Sequence, residues 1–482
     1  MTQETLVRPA DVTPRAGSRY AAAVLAASIL AAVLIPGPAP GLNLPLLALA
    51  AGGAVYQARP REISATVWLY AGLGFLLSLT AVVRAAEWVV AVNALAPLLL
   101  AGLAATEART AADMAWTPFA LLGRLPRAAG FLASSMAPSR GRARPVLRGT
   151  LLAAALVTVF GLLFGSADRA FADLISRVLP GWDLGSIPLR IVVFVVAAIA
   201  IGTLGLARAT APHPAPDGLP VFGTRPGEPP LSRTEWTIAL GALDALFAVF
   251  VGVQVAVLFG GHEHVFQTPG LTYAEYARQG FFQLLAVAVL VLAVLGAVVR
   301  FGAVDVRRMR LLAGALCALT FVVLGSAVHR LGLYEETFGF TQERLVVHAV
   351  TWWLGALFVL VLAAGAVWRG AWLPRAVVVL TAAGLLAFTL ANPDALVASR
   401  NVERFSRTGS LDLDYLGAGM SADAVPALQR LPQPYRDCVL WPVAARLGND
   451  DGWTGFNLAR SRARMLLEGL KRPTAPCPVE VP

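Results

Sequence analysis

Asp244 is the residue whose type and setting most demand a chemical account. It sits in the run Ala242-Leu243-Asp244-Ala245-Leu246, where a lone carboxylate surrounded by hydrocarbon would cost several kcal/mol. Such a group must face protein, bind a cation, pair with an arginine or take up a proton. Two readings follow: a proton or cation pathway, and a structural hydrogen bond. Gln254 lies ten residues on, nearly three helical turns along and roughly 80° around, so it borders the same side. Asn93, in another apolar run, is a candidate partner.

A second polar group is spread over three stretches. His262, Glu263 and His264 precede Tyr273, Glu275, Tyr276 and Arg278; His329, Arg330, Tyr334, Glu335 and Glu336 follow, then Arg344 and His348. His262-Glu263-His264 lacks the i,i+4 spacing that sets two zinc ligands on one helix face. In an extended loop both imidazoles could approach one side, with His348 or Glu335 completing a mixed nitrogen and oxygen site for a divalent metal such as zinc. A zinc ion would need an open coordination position to act, and Glu263 or Glu335 would then be the base. Solvent exposure, hydrogen bonding or headgroup packing accounts for the same residues, and no cofactor is evident.

Arg344 and His348 share a helical face at i,i+4, with Trp352 a turn further. They could hold an anionic headgroup or carboxylate while Tyr334 and Arg330 close over it. The competing account is an arginine anchored at a membrane boundary, and it applies to Arg278 as well. Tyr273 and Tyr276 equally suit an interfacial aromatic belt.

Other chemistries are excluded or left weak. No glycine-rich phosphate loop with a following lysine is present, because Lys471 is the sole lysine, and no serine nucleophile elbow stands out. Asp412 and Asp414 alternate, but they more simply cap or solvate the chain. Three cysteines cannot build a disulfide framework. Cys317 reads as packing within an apolar helix, while Cys438 and Cys477 could pair in an oxidising exterior.

The elements that must position these residues follow from composition. Of 482 residues 57% are hydrophobic and only 14% charged, against about a quarter charged in soluble chains. The net charge of +10 clusters as arginine beside apolar runs, which points to helix orientation and anionic lipid rather than nucleic acid. An all-α polytopic bundle is expected, since a membrane helix needs roughly 20 apolar residues. Candidate spans are 18–35, 42–58, 64–83, 88–106, 149–166, 190–207, 236–259, 280–299, 310–328, 345–367 and 374–391. That makes about eleven, within a range of 10–12, with 42–58 the weakest because it is short and holds Pro45 and Gly52-Gly53.

The chain therefore divides into an amino-terminal cytoplasmic segment 1–17, a first helix group 18–107 and a basic linker 108–147 holding an interfacial helix near Ala112–Leu122. A central helix group 148–208, a Pro/Gly-rich loop 209–233, a main helix group 234–392 and a small amphipathic region 393–482 follow. Within the connection after span five, Phe171, Leu174, Ile175, Val178 and Leu179 form a short apolar stripe. In the carboxyl-terminal region Ser421 caps a short helix over Ala422 to Leu431, and Trp453 to Leu470 form a longer amphipathic one. Arginine islands after spans two, four, six, eight and ten put the amino terminus inside a bacterial cell membrane, and an odd count sends the carboxyl-terminal region outside.

The run Tyr273-Ala274-Glu275-Tyr276-Ala277-Arg278-Gln279-Gly280-Phe281-Phe282-Gln283-Leu284, with Asn392-Pro393-Asp394, Asn401-Val402-Glu403-Arg404 and Leu411-Asp412-Leu413-Asp414-Tyr415-Leu416, resembles an uncharacterised bacterial family of polytopic membrane proteins sharing a domain of unknown function. The resemblance covers mainly residues 236–482. It implies the architecture and carries no activity across.

The function expected is binding or transport of a small or lipid-linked solute along a polar route through Asp244 and the outer loops. The alternatives are a membrane enzyme acting on a lipid or envelope precursor at the outer interface, and a structural or regulatory subunit. Membrane lipids are the expected partners, together with a membrane-protein partner or a second copy of the chain.

Overall fold

Every regular element in the computed structural model is helical among the residues it describes: 17–37, 39–58, 63–136, 186–210, 231–259, 281–301, 305–368, 370–448, 450–473 and 477. The helices form where Ala, Leu and Val runs reach bilayer length, because backbone groups in hydrocarbon must be satisfied within the segment. Their starts are set by short polar side chains. Ser64, Asp305, Thr341 and Asn392 accept hydrogen bonds from the third residue beyond them, each satisfying one orphan first-turn N–H.

The apolar helices are α1 (Ser18–Leu34), α2 (Asn43–Ala58), α3 (Ala65–Val83), α4 (Glu87–Thr106), α7 (Ile187–Ala209), α8 (Arg233–Phe259), α9 (Phe281–Phe301), α10 (Val306–Phe338), α11 (Gln342–Val367) and α12 (Leu373–Leu390). Among the described residues eight helices are long and apolar enough to cross a membrane, namely α3, α4 and α7 to α12. Of the about eleven spans expected, these are eight; α1 and α2, with 17 and 16 residues, fall short of that length. Residues 149–166 and the stripe at 171–179 lie outside the described residues.

Two helix groups meet along one seam. In the first, α1 packs on α2 and α7 while α3 and α4 form a hairpin. Short helices α5 (Ala111–Leu122) and α6 (Leu125–Met136) follow the hairpin, and α6 closes against α7 and α1. A capping box at Thr110 and Asp113 starts α5, where the sequence predicted an interfacial helix. Gly205 of α7 gives Tyr20 its place: a β-carbon there would collide with the Tyr20 ring. In the second group α8, α9 and α11 surround α10 over a core that includes Trp236, Leu240, Leu316, Leu354 and Phe358. Helix α12 leaves α11 and packs back onto α3.

The carboxyl-terminal region is a small folded unit. It holds α13 (Pro393–Thr408), α14 (Leu413–Gly419), a 3-10 turn (Ala422–Ala424) running into α15 (Val425–Leu428), α16 (Tyr435–Leu447) and α17 (Leu458–Leu466). Val397, Leu416, Met420, Val425, Leu428, Val439 and Leu440 form its core, and a disulfide joins Cys438 to Cys477. Ser421 caps as expected, and Asp412 caps α14. The predicted helix from Trp453 to Leu470 contracts to α17, because Asn457 is its N-cap and a turn occupies 452–455.

One difference bears directly on function. The ninth span was expected at 310–328, followed by a polar loop. Helix α10 instead runs 33 residues to Phe338, so His329, Arg330, Tyr334 and Glu335 are helical, and Ser326, Arg330 and Tyr334 recur at i,i+4 along one face.

Candidate functional site: a polar seam between α8 and α10

The seam begins with Asp244. Among the described residues neither of its buried carboxylate oxygens has a hydrogen-bond partner, nor does the buried hydroxyl of Thr237, which lies seven residues earlier on the same face of α8. Asn93 is not its partner: the Asn93 amide donates to Thr80 Oγ1 at 2.9 Å and Thr389 Oγ1 at 2.8 Å, which ties α4 to α3 and α12. Arg300 Nη2, near the end of α9, is likewise buried with no hydrogen-bond partner among the described residues.

Towards the carboxyl-terminal end of α8 the seam becomes hydrogen-bonded. Gln254 Oε1 accepts from Ser326 Oγ at 3.1 Å and from Arg330 Nη2 at 2.9 Å. One turn further, Tyr334 presents its ring to the Arg344 guanidinium, 4.4 Å from the ring centroid, and Arg344 also donates to the Gly339 carbonyl. Glu335 is nearly fully buried and meets His348 Nε2 at 3.0 Å. Thus Gln254 and Arg330, Tyr334 and Arg344, and Glu335 and His348 meet as pairs. Trp352, on the face of His348, points outward instead.

The carboxyl-terminal unit holds this end in place. Gln342, the first residue of α11, donates from its side chain to Asp394 at 2.8 Å and from its backbone to Tyr415 Oη at 2.8 Å. The Asn401 side chain both accepts from Phe340 N and donates to Phe340 O. Asp394 also accepts from Trp88 Nε1 and Ser421 N. Asp423 accepts from the N–H groups of Ala85 and Ala86 and lies 3.7 Å from Arg84. Burial pushes the Asp423 carboxyl above its ordinary range, against the pull of those two donors and of Arg84. Sequence reasoning missed both docking carboxylates, whose residue types suggest only caps.

A separate cleft of about 780 Å³ opens in this unit beside Cys438. Its polar walls satisfy each other: Gln429 donates to Leu466 O, and Gln433 and Arg436 donate to Asp437.

His262, His264, Tyr273, Tyr276 and Arg278 lie outside the described residues. Among the described residues no group of three or more His, Cys, Asp or Glu side chains stands together as a metal site. Glu335 and His348 supply two such groups.

A family model for a domain of unknown function (DUF4153) matches residues 71–431, taking in α4 to α15, most of α3 and the docking turn around Asp423. No curated protein and no solved structure matches the chain.

Proposed function

The chain belongs to the DUF4153 family, and from that premise we propose that this multi-pass membrane protein binds or transports a small or lipid-linked solute, with Asp244 exchanging a proton or small cation. The supporting observation is the pair of buried, unpartnered carboxylate oxygens in a bilayer-length apolar helix. Where no described residue donates to a carboxylate whose oxygens are buried in an apolar helix, a bound proton or cation is what offsets its desolvation. Thr237 extends the polar line one way along α8, and Gln254 with Ser326 and Arg330 extends it the other. Functional polar groups in membrane helices typically line such interior paths.

Infrared difference spectroscopy tests this without knowledge of the solute. Protein in phospholipid vesicles is stepped through pH and through sodium concentration. A titrating or sodium-sensitive carboxyl band is expected, lost in Asp244→Asn and shifted in Asp244→Glu. Superimposable wild-type and Asp244→Asn spectra across both series would remove charge exchange at this site.

The Glu335–His348 contact favours a second reading, an interfacial membrane enzyme. A carboxylate that orients one imidazole nitrogen leaves the other to move a proton. Covalent conversion of a lipid substrate, abolished in His348→Gln, would select it.

The same proposal includes about eleven spans, with α1, α2 and residues 149–166 completing the eight long helices. It places the amino terminus in the cytoplasm and the carboxyl-terminal unit outside. The arginine islands support this orientation, and so does the Cys438–Cys477 disulfide, a bond favoured in oxidising compartments.

A further inference from the structure

The carboxyl-terminal unit exposes apolar side chains that its own core does not use. Trp453 is 73% exposed, Met465 66% and Leu458 52%, with Phe456 beside them. On α17, Leu458, Arg462 and Met465 recur at i, i+4 and i+7, which places all three on one face. Arg462 is exposed within that apolar face.

The position of this patch is fixed by backbone bonds. Leu42 N donates to Phe456 O at 3.2 Å, and Asn43 N donates to Thr454 O at 2.7 Å. A β-carbon on Gly41 would strike the carbonyls of Gly455 and Phe456, so the two strands of chain touch. Arg460 clamps the contact from the other side, donating to Pro40 O, Gly455 O and Asp451. Residues 453–456 are therefore pinned to the first residue of α2. On the same α1–α2 hairpin the apolar side chains Val33, Ile35 and Leu49 are all exposed. The Arg190 guanidinium lies there too, on the carbonyls of Ala32, Val33 and Pro36.

We propose that Trp453, Phe456, Leu458 and Met465 form an interfacial foot, seated in the headgroup boundary of the same bilayer that holds α1 and α2, with Arg462 on anionic lipid phosphates. The apolar patch is tied by backbone hydrogen bonds to the turn of the α1–α2 hairpin, and its arginine matches the charge of anionic headgroups. An indole, a phenyl ring and aliphatic side chains around a cation suit that boundary. The unit is thus held at two places, by hydrogen bonds to the helix turns and by lipid under α17.

Spin labels at Trp453→Cys and Met465→Cys, in full-length protein reconstituted in phosphatidylglycerol-containing nanodiscs, test this through accessibility to oxygen and to a water-soluble nickel chelate. Leu49→Cys on α2 reports whether the hairpin is embedded, and exposed Arg400→Cys reports water. Both foot labels should be several-fold more oxygen-accessible than Arg400→Cys, and Arg462→Glu should reverse this in the Met465→Cys background. Water-like foot labels beside a lipid-like Leu49→Cys would overturn the foot alone. A water-like Leu49→Cys would overturn the foot together with the embedded hairpin. Dipolar broadening between labels of two copies would assign the patch to a protein interface and overturn the lipid assignment.

Discussion

Asp451 shows how one carboxylate can hold a loop against the turn between α1 and α2. Its Oδ2 receives Arg460 Nε at 2.9 Å and Arg464 Nη2 at 2.7 Å. Burial pushes this carboxyl up, but the two guanidinium groups together outweigh burial and hold it below the ordinary range. A depressed folded-state pKa adds stability that is fully present above the unfolded value, about 3.9, and lost as pH falls through the lower folded value. A spin label at Trp453→Cys should therefore keep constant mobility from neutral pH down to about pH 4 and loosen only below it. Asp451→Asn should loosen it at every pH, at a cost of about 2 kcal/mol for the lost charged hydrogen bonds. Wild-type loosening already near neutral pH would show that other groups seat the loop.

At the scale of elements, the seven helices α3, α4, α7, α8, α9, α11 and α12 lie within a few residues of the spans that hydropathy predicts. A window of about 20 apolar residues is a strong signal because the hydrocarbon layer sets its length. The carboxyl-terminal end of α10 was not legible in that way. Ser326 to Phe338 is polar enough to resemble a loop, and the i,i+4 recurrence of Ser326, Arg330 and Tyr334 was outvoted by composition. The docking carboxylates were hidden for a different reason: Asp423 meets N–H groups 338 and 337 positions away, and no local pattern encodes such a partner. Asp244 was legible because the expense of a charge in hydrocarbon belongs to the residue and its immediate neighbours.

Helix contacts were equally illegible, and the α1–α7 pair gives a test. Because a β-carbon at Gly205 would collide with the Tyr20 ring, Gly205→Ala should cost about 1–3 kcal/mol through overpacking. The melting midpoint in detergent should fall accordingly. In a Tyr20→Ala background the added methyl has room, so its effect should vanish or change sign. Equal costs in both backgrounds would mean that the two helices do not meet at this pair.

The whole molecule is organised around one end. The turns after α1, α3 and α10, and the exit from α12, all engage the carboxyl-terminal unit. The opposite end holds Glu107, paired with the buried Arg208, and the exposed Arg109. Arg109 and Arg400 therefore lie on opposite faces of the bundle, both with guanidinium groups open to reagent. Native thiols leave the background quiet, since Cys438 and Cys477 are joined and Cys317 is buried. With the proposed orientation, an impermeant maleimide added to intact cells should label Arg400→Cys and spare Arg109→Cys until the membrane is opened. The paired cysteines should react only after reduction. Labelling of Arg109→Cys alone would invert the molecule and place the disulfide in a reducing compartment, where it would not persist. Labelling of both from outside would mean that the two ends do not face opposite compartments, and the polar seam from Thr237 through Asp244 to Arg330 would no longer connect two sides of a membrane.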